Sequence, residues 1–136
     1  LTLKLTIMIT NTIDQVKEFA EAFNIKYSKE MNPNLDQSTI DLRFRLMEEE
    51  NLEYLEAANN NDIVEIADAL GDILYILCGT ILAHGLQHKI VEVFNEIQRS
   101  NMSKLDINEK PIFREDGKIL KGPNYFKPNI KDILDK

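Results

Sequence analysis

The chain has 136 residues, with 16 Lys and Arg against 23 Asp and Glu, a formal charge of −7 and 43% apolar residues. This length suits one compact domain with a core of its own, and the composition excludes wholesale disorder and fibrous classes. The single Cys excludes a disulfide framework and a cysteine-rich zinc site, and the acidic balance argues against a nucleic-acid partner. No apolar stretch approaches the roughly 20 residues of a membrane span, so we expect a cytoplasmic domain without membrane contacts.

The first ten residues differ from the rest because apolar side chains occupy every odd position. Such alternation is typical of an extended strand. We interpret residues 1–11 as an N-terminal extension, disordered or foreign to the natural domain, with Met8 as the natural initiator. In this interpretation residues 12–136 form the domain.

From Thr12 onward the apolar residues recur at helical spacing and predict four helices joined by short loops. After them, residues 112–120 predict a small hairpin that turns at Asp116-Gly117. The fold class is therefore all-α, a four-helix bundle with a C-terminal arm that contains a short hairpin. The predicted helices cover residues 12–24, 36–58, 62–84 and 89–102, with Asp62 and Gly85 as the cap and the terminator of the third.

The distribution of charge in the middle of the chain is unusual. Between Arg45 and Lys89 there is no Lys or Arg, but there are nine carboxylates. Surface helices normally mix both signs, because opposite charges four residues apart stabilise a helix and like charges destabilise it. Another group must therefore neutralise these acids. Two sets of them have helical spacing: Glu49, Glu50 and Glu53 on the second helix, and Glu65, Asp68 and Asp72 on the third.

The break at Asn59–Asn61 is short enough to make these two helices antiparallel neighbours. At about 1.5 Å rise per residue, Glu53 and Asp68 lie at one height, and Glu49 and Asp72 lie level with each other one turn further. Carboxylates this close cannot all stay ionised unless a dication lies among them. All-oxygen ligation selects Mg²⁺ or Mn²⁺ over Zn²⁺, and Mg²⁺ commonly shares its site with phosphates. The pattern therefore indicates phosphate-ester or anhydride chemistry.

The acids also carry a family signature. Glu49–Glu53 followed by Glu65–Asp68 matches the pattern E-E-x-x-E…E-x-x-D. The chain thus resembles the all-α nucleoside triphosphate pyrophosphatases, a superfamily that includes MazG, the dimeric dUTPases and the phosphoribosyl-ATP pyrophosphohydrolases. Further segments resemble the MazG-like branch with dUTPase-type activity: Arg43–Leu46, Ala69–Tyr75, Arg99–Lys104 and Lys118–Phe126.

The resemblance implies a hydrolase that converts a nucleoside triphosphate, such as the (deoxy)pyrimidine triphosphate dUTP, to monophosphate and pyrophosphate. It makes Glu49 the catalytic residue that orients and deprotonates water, or else a further ligand. It also implies a homodimer or a dimer of dimers, which suits a short helical core. By the same resemblance the metal ligands are Glu50, Glu53, Glu65 and Asp68, with Asp72 supporting a further ion, and the substrate-binding residues are Asn101, Lys104, Lys118, Lys121 and Tyr125.

Some assignments stay open at this stage. Glu65 stands three residues after Asp62 and has the spacing of a capping box. Base recognition is expected from the first helix, where Gln15, Phe19 and Phe23 are candidates. One alternative function is a phosphoribosyl-ATP pyrophosphohydrolase, which shares the metal cage but which the tail motifs disfavour. The other is a non-enzymatic acidic helical module that binds cations or partner proteins.

Overall fold

The computed structural model describes residues 2–136, and it confirms the all-α class. No strand is present between Thr2 and Lys136, and the prediction of four helices missed a short fifth one at the C-terminus. By contacts the chain divides into unit 1, Leu1–His88, and unit 2, Lys89–Lys136. The helices are α1 (Thr2–Ala22), α2 (Gln37–Asn59) and α3 (Ile63–Ala83) in unit 1, and α4 (Ile90–Met102) and α5 (Ile130–Asp135) in unit 2.

The strand predicted for the first ten residues is wrong, because Thr2 already belongs to α1. Within this helix the Thr12 hydroxyl donates to the carbonyl of Met8 at 2.8 Å. An alternating apolar pattern folds as a strand only where a sheet buries one of its faces, and residues 2–136 offer no strand to pair with. Helix α1 continues through residue 12 without a break, and Ile13 is its first buried residue among those whose side chains the structure describes. Leu1 lies outside the described residues.

Helix α3 is central to unit 1, since both α1 and α2 pack against it and α2 does so along the longer interface. The predicted cap of α3 is confirmed, because the Asp62 carboxylate accepts from the backbone N–H groups of Val64 and Glu65 at 3.1 and 3.2 Å. The predicted terminator is confirmed too. Gly85 has a φ of +68°, and a Cβ there would lie 1.9 Å from the carbonyl oxygen of Glu30.

The packed sides of α2 and α3 form a seam with a regular spacing. Along α3 the less exposed residues of this side recur three or four positions apart, and along α2 they do so up to Glu50, with the next one two turns later at Ala57. Acidic residues occur within both rows, so the fold itself brings carboxylates together. The seam positions are Arg43, Leu46, Glu50 and Ala57 on α2, and Ala69, Asp72, Ile76, Gly79 and Ala83 on α3.

Among the described helices, α3 is long and apolar enough to cross a membrane by length and composition alone. The expectation that no stretch of the chain reaches this length is therefore wrong. The same helix carries Asp68 and Asp72 and is covered in part by α1 and α2.

Unit 2 consists of α4 and a tail that returns along it. The Ser100 hydroxyl, in a residue only 1% exposed, donates to the carbonyl of Phe126 at 2.9 Å. Ser103 Oγ accepts from the N–H of Phe126 at 3.1 Å, and Glu96 Oε1 accepts from the N–H of Asn129 at 2.9 Å. These bonds fix the tail where α5 begins.

Residues 112–120 turn at Asp116-Gly117 and contain a single antiparallel bridge, between Phe113 and Ile119. Next to it, the N–H of Leu120 donates to the carbonyl of Ile112 at 2.8 Å. The predicted pair of hairpin strands is thus reduced to one bridge in this part of the chain. Both bridge residues are exposed, and a two-stranded hairpin without a packed face is only marginally stable.

Candidate active site

Three carboxylates meet on the seam of unit 1. Glu50 and Glu53 lie one turn apart on α2, Asp72 lies on α3, and one oxygen of each falls within 4.8 Å of the other two. Burial, and then the charges of Glu53, Asp72 and Asp68, raise the pKa of Glu50 above its ordinary value. Its Oε2 atom is buried and accepts no hydrogen bond from the described residues. A buried acceptor without a donor, surrounded by like charges, is a site that a cation stabilises.

Glu49 lies next to the carboxylate group in sequence but is not one of its three members. The sequence placed Asp72 level with Glu49 on α2, which is right to within one residue. In the structure, the α2 carboxylates that lie within 4.8 Å of the Asp72 carboxylate are those of Glu50 and Glu53. Glu49 itself is exposed. Consecutive residues of a helix point about 100° apart, so Glu49 and Glu50 point in different directions, and Glu49 points only about 40° from Glu53 of the group. The pairing of Glu49 with Asp72 stays a prediction.

The other two acids of α3 lie outside this close group. Asp68 is exposed, one turn before Asp72, and it acts on the Glu50 carboxyl through its charge. Glu65 is exposed in the first turn of α3, where its backbone N–H donates to the Asp62 cap. The roles of both as metal ligands stay predictions.

A cleft of about 790 Å³ adjoins the carboxylate group within unit 1. Its lining includes Leu46, one turn before Glu50, and Ile76, one turn after Asp72, but none of the three acids themselves. Phe19 and Tyr75 contribute an edge-to-face pair with ring centroids 5.6 Å apart. The remaining walls come from α1, the segment between α1 and α2, the N-terminal half of α2 and the C-terminal half of α3.

Among the three residues predicted to recognise the base, Phe19 lies in the lining of this cleft. The ring of Phe23 packs against Phe19 with centroids 4.5 Å apart, outside the lining, and Gln15 is exposed on α1.

Sequence reasoning gave no role to Arg43, which also lines the cleft. Its Nε donates to Thr80 Oγ1 at 3.1 Å and its Nη2 to the carbonyl of Ile76 at 2.8 Å. Burial lowers the pKa of this guanidinium. A Cβ on Gly79 would lie 2.4 Å from Nη2, so the glycine leaves room for the arginine. The sequence signal was a basic residue on the seam, two turns before Glu50 and opposite a glycine inside a helix.

Four of the predicted substrate-binding residues belong to two segments of unit 2 that touch. The N–H of Gly122 donates to the carbonyl of Lys104 at 2.9 Å, which holds the loop with Lys121 and Tyr125 against the end of α4. The Lys121 ammonium lies 4.8 Å from the centre of the Tyr125 ring. Asn101 is exposed in the last turn of α4.

Lys118 lies in the turn of residues 112–120, where its backbone N–H donates to Asp116 at 3.1 Å. Arg99, two residues before Asn101 on α4, has a structural partner, because both its Nε and Nη2 donate to Glu96. Ser100 likewise bonds to the tail. Two residues of the Arg99–Lys104 motif, Arg99 and Ser100, therefore make hydrogen bonds that hold unit 2 together.

The described part of the chain is thus an all-α domain in which acids from two antiparallel helices come together. Residues 16–101 match the family model of phosphoribosyl-ATP pyrophosphohydrolase, and the chain belongs to that family. The family lies in the all-α MazG-like nucleoside triphosphate pyrophosphatase superfamily, which confirms the resemblance seen in the sequence. Its members are hydrolases that act on a phosphoric anhydride.

The chain is also similar to a viral protein. The uncharacterized protein L479 of Acanthamoeba polyphaga mimivirus is 38% identical over 81 residues, which make up 58% of this chain. The match spans 27% of the length of that protein.

Proposed function

We propose that this chain is a metal-dependent nucleoside triphosphate pyrophosphohydrolase that releases nucleoside monophosphate and pyrophosphate. Its substrate is a (deoxy)pyrimidine triphosphate such as dUTP. The observation that carries the proposal is the carboxylate group of Glu50, Glu53 and Asp72, with oxygens within 4.8 Å of one another across two helices. Family membership supplies the reaction type.

The donor set fits Mg²⁺, with Mn²⁺ as a substitute. All three side chains offer oxygen, and Glu50 Oε2 is a buried acceptor that lacks a donor among residues 2–136. Glu50, Glu53 and Asp72 would hold the ion, with Glu65 and Asp68 as further ligands. When bound, the ion would neutralise phosphate charge and make a nearby water more acidic. Glu49, exposed beside the group, orients that water and accepts its proton.

The cleft of unit 1 accepts the nucleoside part of the substrate. Its volume of about 790 Å³ lies within the usual range for small-molecule sites, and Phe19 and Tyr75 offer aromatic surface to a base. Since Leu46 and Ile76 of its lining lie one turn from Glu50 and Asp72, a nucleoside bound there directs its phosphates toward the acids. Asn101, Lys104, Lys118, Lys121 and Tyr125 of unit 2 contact phosphate and sugar, a role that rests on the resemblance of their motifs to the family.

The chain acts as a homodimer or a dimer of dimers. Leu70, Leu74 and Leu77 follow one another at helical spacing on α3 and are 50%, 49% and 44% exposed. Leu52 and Leu55 of α2 are exposed as well. An apolar stripe of this length indicates a protein contact, and a second copy of the chain offers the same stripe in a self-complementary arrangement.

A second candidate function is phosphoribosyl-ATP pyrophosphohydrolysis, which is favoured by the description of the matching family. It uses the same carboxylates and cleaves the same type of bond. The two functions differ in the group that occupies the cleft.

Pyrophosphate release decides between the candidates. Purified protein is incubated with Mg²⁺ and each of the common ribo- and deoxyribonucleoside triphosphates, and separately with phosphoribosyl-ATP. We expect turnover of a pyrimidine triphosphate, abolished by Glu53→Gln and by EDTA. Turnover of phosphoribosyl-ATP alone establishes the second function. Absence of turnover with every substrate overturns both and leaves a cation-binding helical module.

A further inference from the structure

The side chain of Arg43 is held in one orientation at the wall of the cleft. Nε and Nη2 are bonded to Thr80 and Ile76 on α3, at 3.1 and 2.8 Å. Gly79, which lines the same cleft, is the reason that the guanidinium fits there, since a Cβ would lie 2.4 Å from Nη2. A glycine inside a helix destabilises it relative to alanine, so this position trades helix stability for the placement of the arginine.

The guanidinium has donors to spare. It carries five N–H groups and no acceptor, and the two bonds to α3 use two of them. Its Nη1 makes no hydrogen bond to the residues that the structure describes, and none of the salt bridges within residues 2–136 involves Arg43. A half-buried cation without a carboxylate partner is costly, and a ligand that brings acceptors offsets that cost.

The position of Arg43 relative to the acids fits one part of a nucleotide. Glu50 follows Arg43 by seven positions along α2, which corresponds to a rise of about 10 Å. With phosphates directed toward Glu50, the far edge of a nucleobase in the cleft lies at the level of the guanidinium. Leu42 and Leu46, the nearest lining residues on α2, have apolar side chains, and Thr39, one turn before Arg43, adds a hydroxyl.

We propose that Arg43 selects the nucleobase of the substrate by donating from its unused N–H groups to a keto oxygen on the edge of the base. Keto bases, namely uracil, thymine and guanine, present such an acceptor, and cytosine and adenine present an amino donor in the corresponding place. The selection rests on the proposed function, because it requires the cleft to hold the nucleoside. It makes a keto-base triphosphate the preferred substrate and disfavours an adenine-containing one such as phosphoribosyl-ATP.

The test displaces the guanidinium without removing its charge. Gly79→Ala places a methyl group against Nη2, and Gly71→Ala is the matched control because a Cβ at Gly71 meets nothing within 4 Å. For each variant, kcat and KM are measured with dUTP, dTTP and dGTP and with dCTP and dATP. The melting temperature with and without Mg²⁺ reports on the metal site.

We expect wild type and Gly71→Ala to prefer keto bases, and Gly79→Ala to lower the keto-to-amino ratio of kcat/KM by about tenfold or more, through KM. The Mg²⁺-induced stabilisation stays unchanged in all three. Arg43→Lys, which keeps the charge and loses the planar fork, lowers the same ratio and serves where Gly79→Ala does not fold. An amino-base preference in wild type, or a ratio that neither variant changes, overturns the proposal.

Calorimetric binding of dUMP and dCMP separates this inference from the proposed activity. If wild type hydrolyses nothing but binds dUMP more tightly, and Gly79→Ala removes that preference, Arg43 selects the base and the proposed activity fails. If wild type hydrolyses nucleotides while neither Gly79→Ala nor Arg43→Lys changes the dUMP-to-dCMP preference, the activity stands and the role of Arg43 fails. Equal binding of the two monophosphates without turnover overturns both.

Discussion

Asp72 lies across the seam from Glu50, and each places a carboxylate oxygen within 4.8 Å of the other. They come from different helices of an antiparallel pair, so the distance between them is set by the packing of α2 on α3. The pKa of Glu50 is raised by burial and by the nearby acids, which shows that the fold brings these charges together against their repulsion. Substitutions of Glu53, Asp72 and Glu49 test what relieves that repulsion.

Replacing Glu53, one acid of the group, with a neutral residue should change the melting temperature and the rate of pyrophosphate release in opposite directions. We expect Glu53→Gln to raise the melting temperature in EDTA, because one like-charge contact disappears, and to lower pyrophosphate release by about a hundredfold or more, because a ligand is lost. Mg²⁺ should stabilise wild type and have little effect on the variant. Differential scanning calorimetry in EDTA and in Mg²⁺ measures the two changes in melting temperature, and a pyrophosphate-release assay measures turnover. A variant that keeps turnover and the Mg²⁺ effect contradicts the assignment of Glu53 as a ligand.

Glu49 and Asp72 have different neighbours and should fail in different ways. Asp72→Asn removes an oxygen donor of the close group, so it should weaken Mg²⁺-induced stabilisation together with turnover. Glu49 is exposed outside that group, so Glu49→Gln should lower kcat and leave the Mg²⁺ effect near that of wild type. Glu48→Gln, one residue earlier on α2, is the control for a simple loss of surface charge. Equal loss of the Mg²⁺ effect in the Glu49 and Asp72 variants would show that both residues bind the ion.

The stability of unit 2 should depend on pH through Glu96. Hydrogen bonds from Arg99 and from the N–H of Asn129 hold the pKa of Glu96 below its ordinary value of 4.5. Its contribution to the free energy of unfolding is therefore complete above that value and is lost as the pH falls through the lower, folded-state pKa. Urea unfolding should show Glu96→Gln to be less stable than wild type at pH 7, with the difference shrinking below pH 4.5. Glu115→Gln, in the exposed turn, should show no such trend.

Gly122 holds together the two segments that carry predicted substrate-binding residues. A Cβ at this position would lie 2.3 Å from the carbonyl oxygen of Leu105 and 2.7 Å from that of Lys104. Gly122→Ala should therefore move the loop of Lys121 and Tyr125 away from the end of α4. We expect a rise in KM with the Mg²⁺ effect retained, measured against Asn124→Ala in the same loop. An unchanged KM would mean that this loop does not contact the substrate.

Local rules accounted for most of the helices of unit 1. The cap at Asp62, the glycine at 85 and the break at Asn59–Asn61 are signals contained within a few residues, and the structure has them as predicted. The strand expected at the N-terminus failed because alternation specifies a strand only when a partner strand exists. The pair of hairpin strands was overestimated for a related reason, since its turn chemistry was right but no sheet covers it.

The carboxylate site shows the same division. Helical rise placed the acids of α2 and α3 at one height, and this was right to within one residue. Which carboxylates of α2 come closest to Asp72 depends on the rotation of α2 about its axis, and the rise per residue does not specify that rotation. No role was predicted for Arg43 because its partners, the carbonyl of Ile76 and the hydroxyl of Thr80, belong to α3. No residue pattern within α2 indicates such partners.

The exposed leucines of α3 should control assembly. Leu74 lies in the middle of the stripe and is 49% exposed, so a second copy of the chain that covers the stripe buries it. Leu74→Lys places a charge there, and burying an unpaired charge costs more than a dimer contact of this size contributes. We expect size-exclusion chromatography with light scattering to give a dimer or tetramer for wild type and a monomer for the variant. Ile107→Lys is the matched control, because Ile107 is 74% exposed in unit 2 outside the stripe. A wild-type monomer, or an assembly that the Leu74 variant keeps, would show that the stripe has another partner.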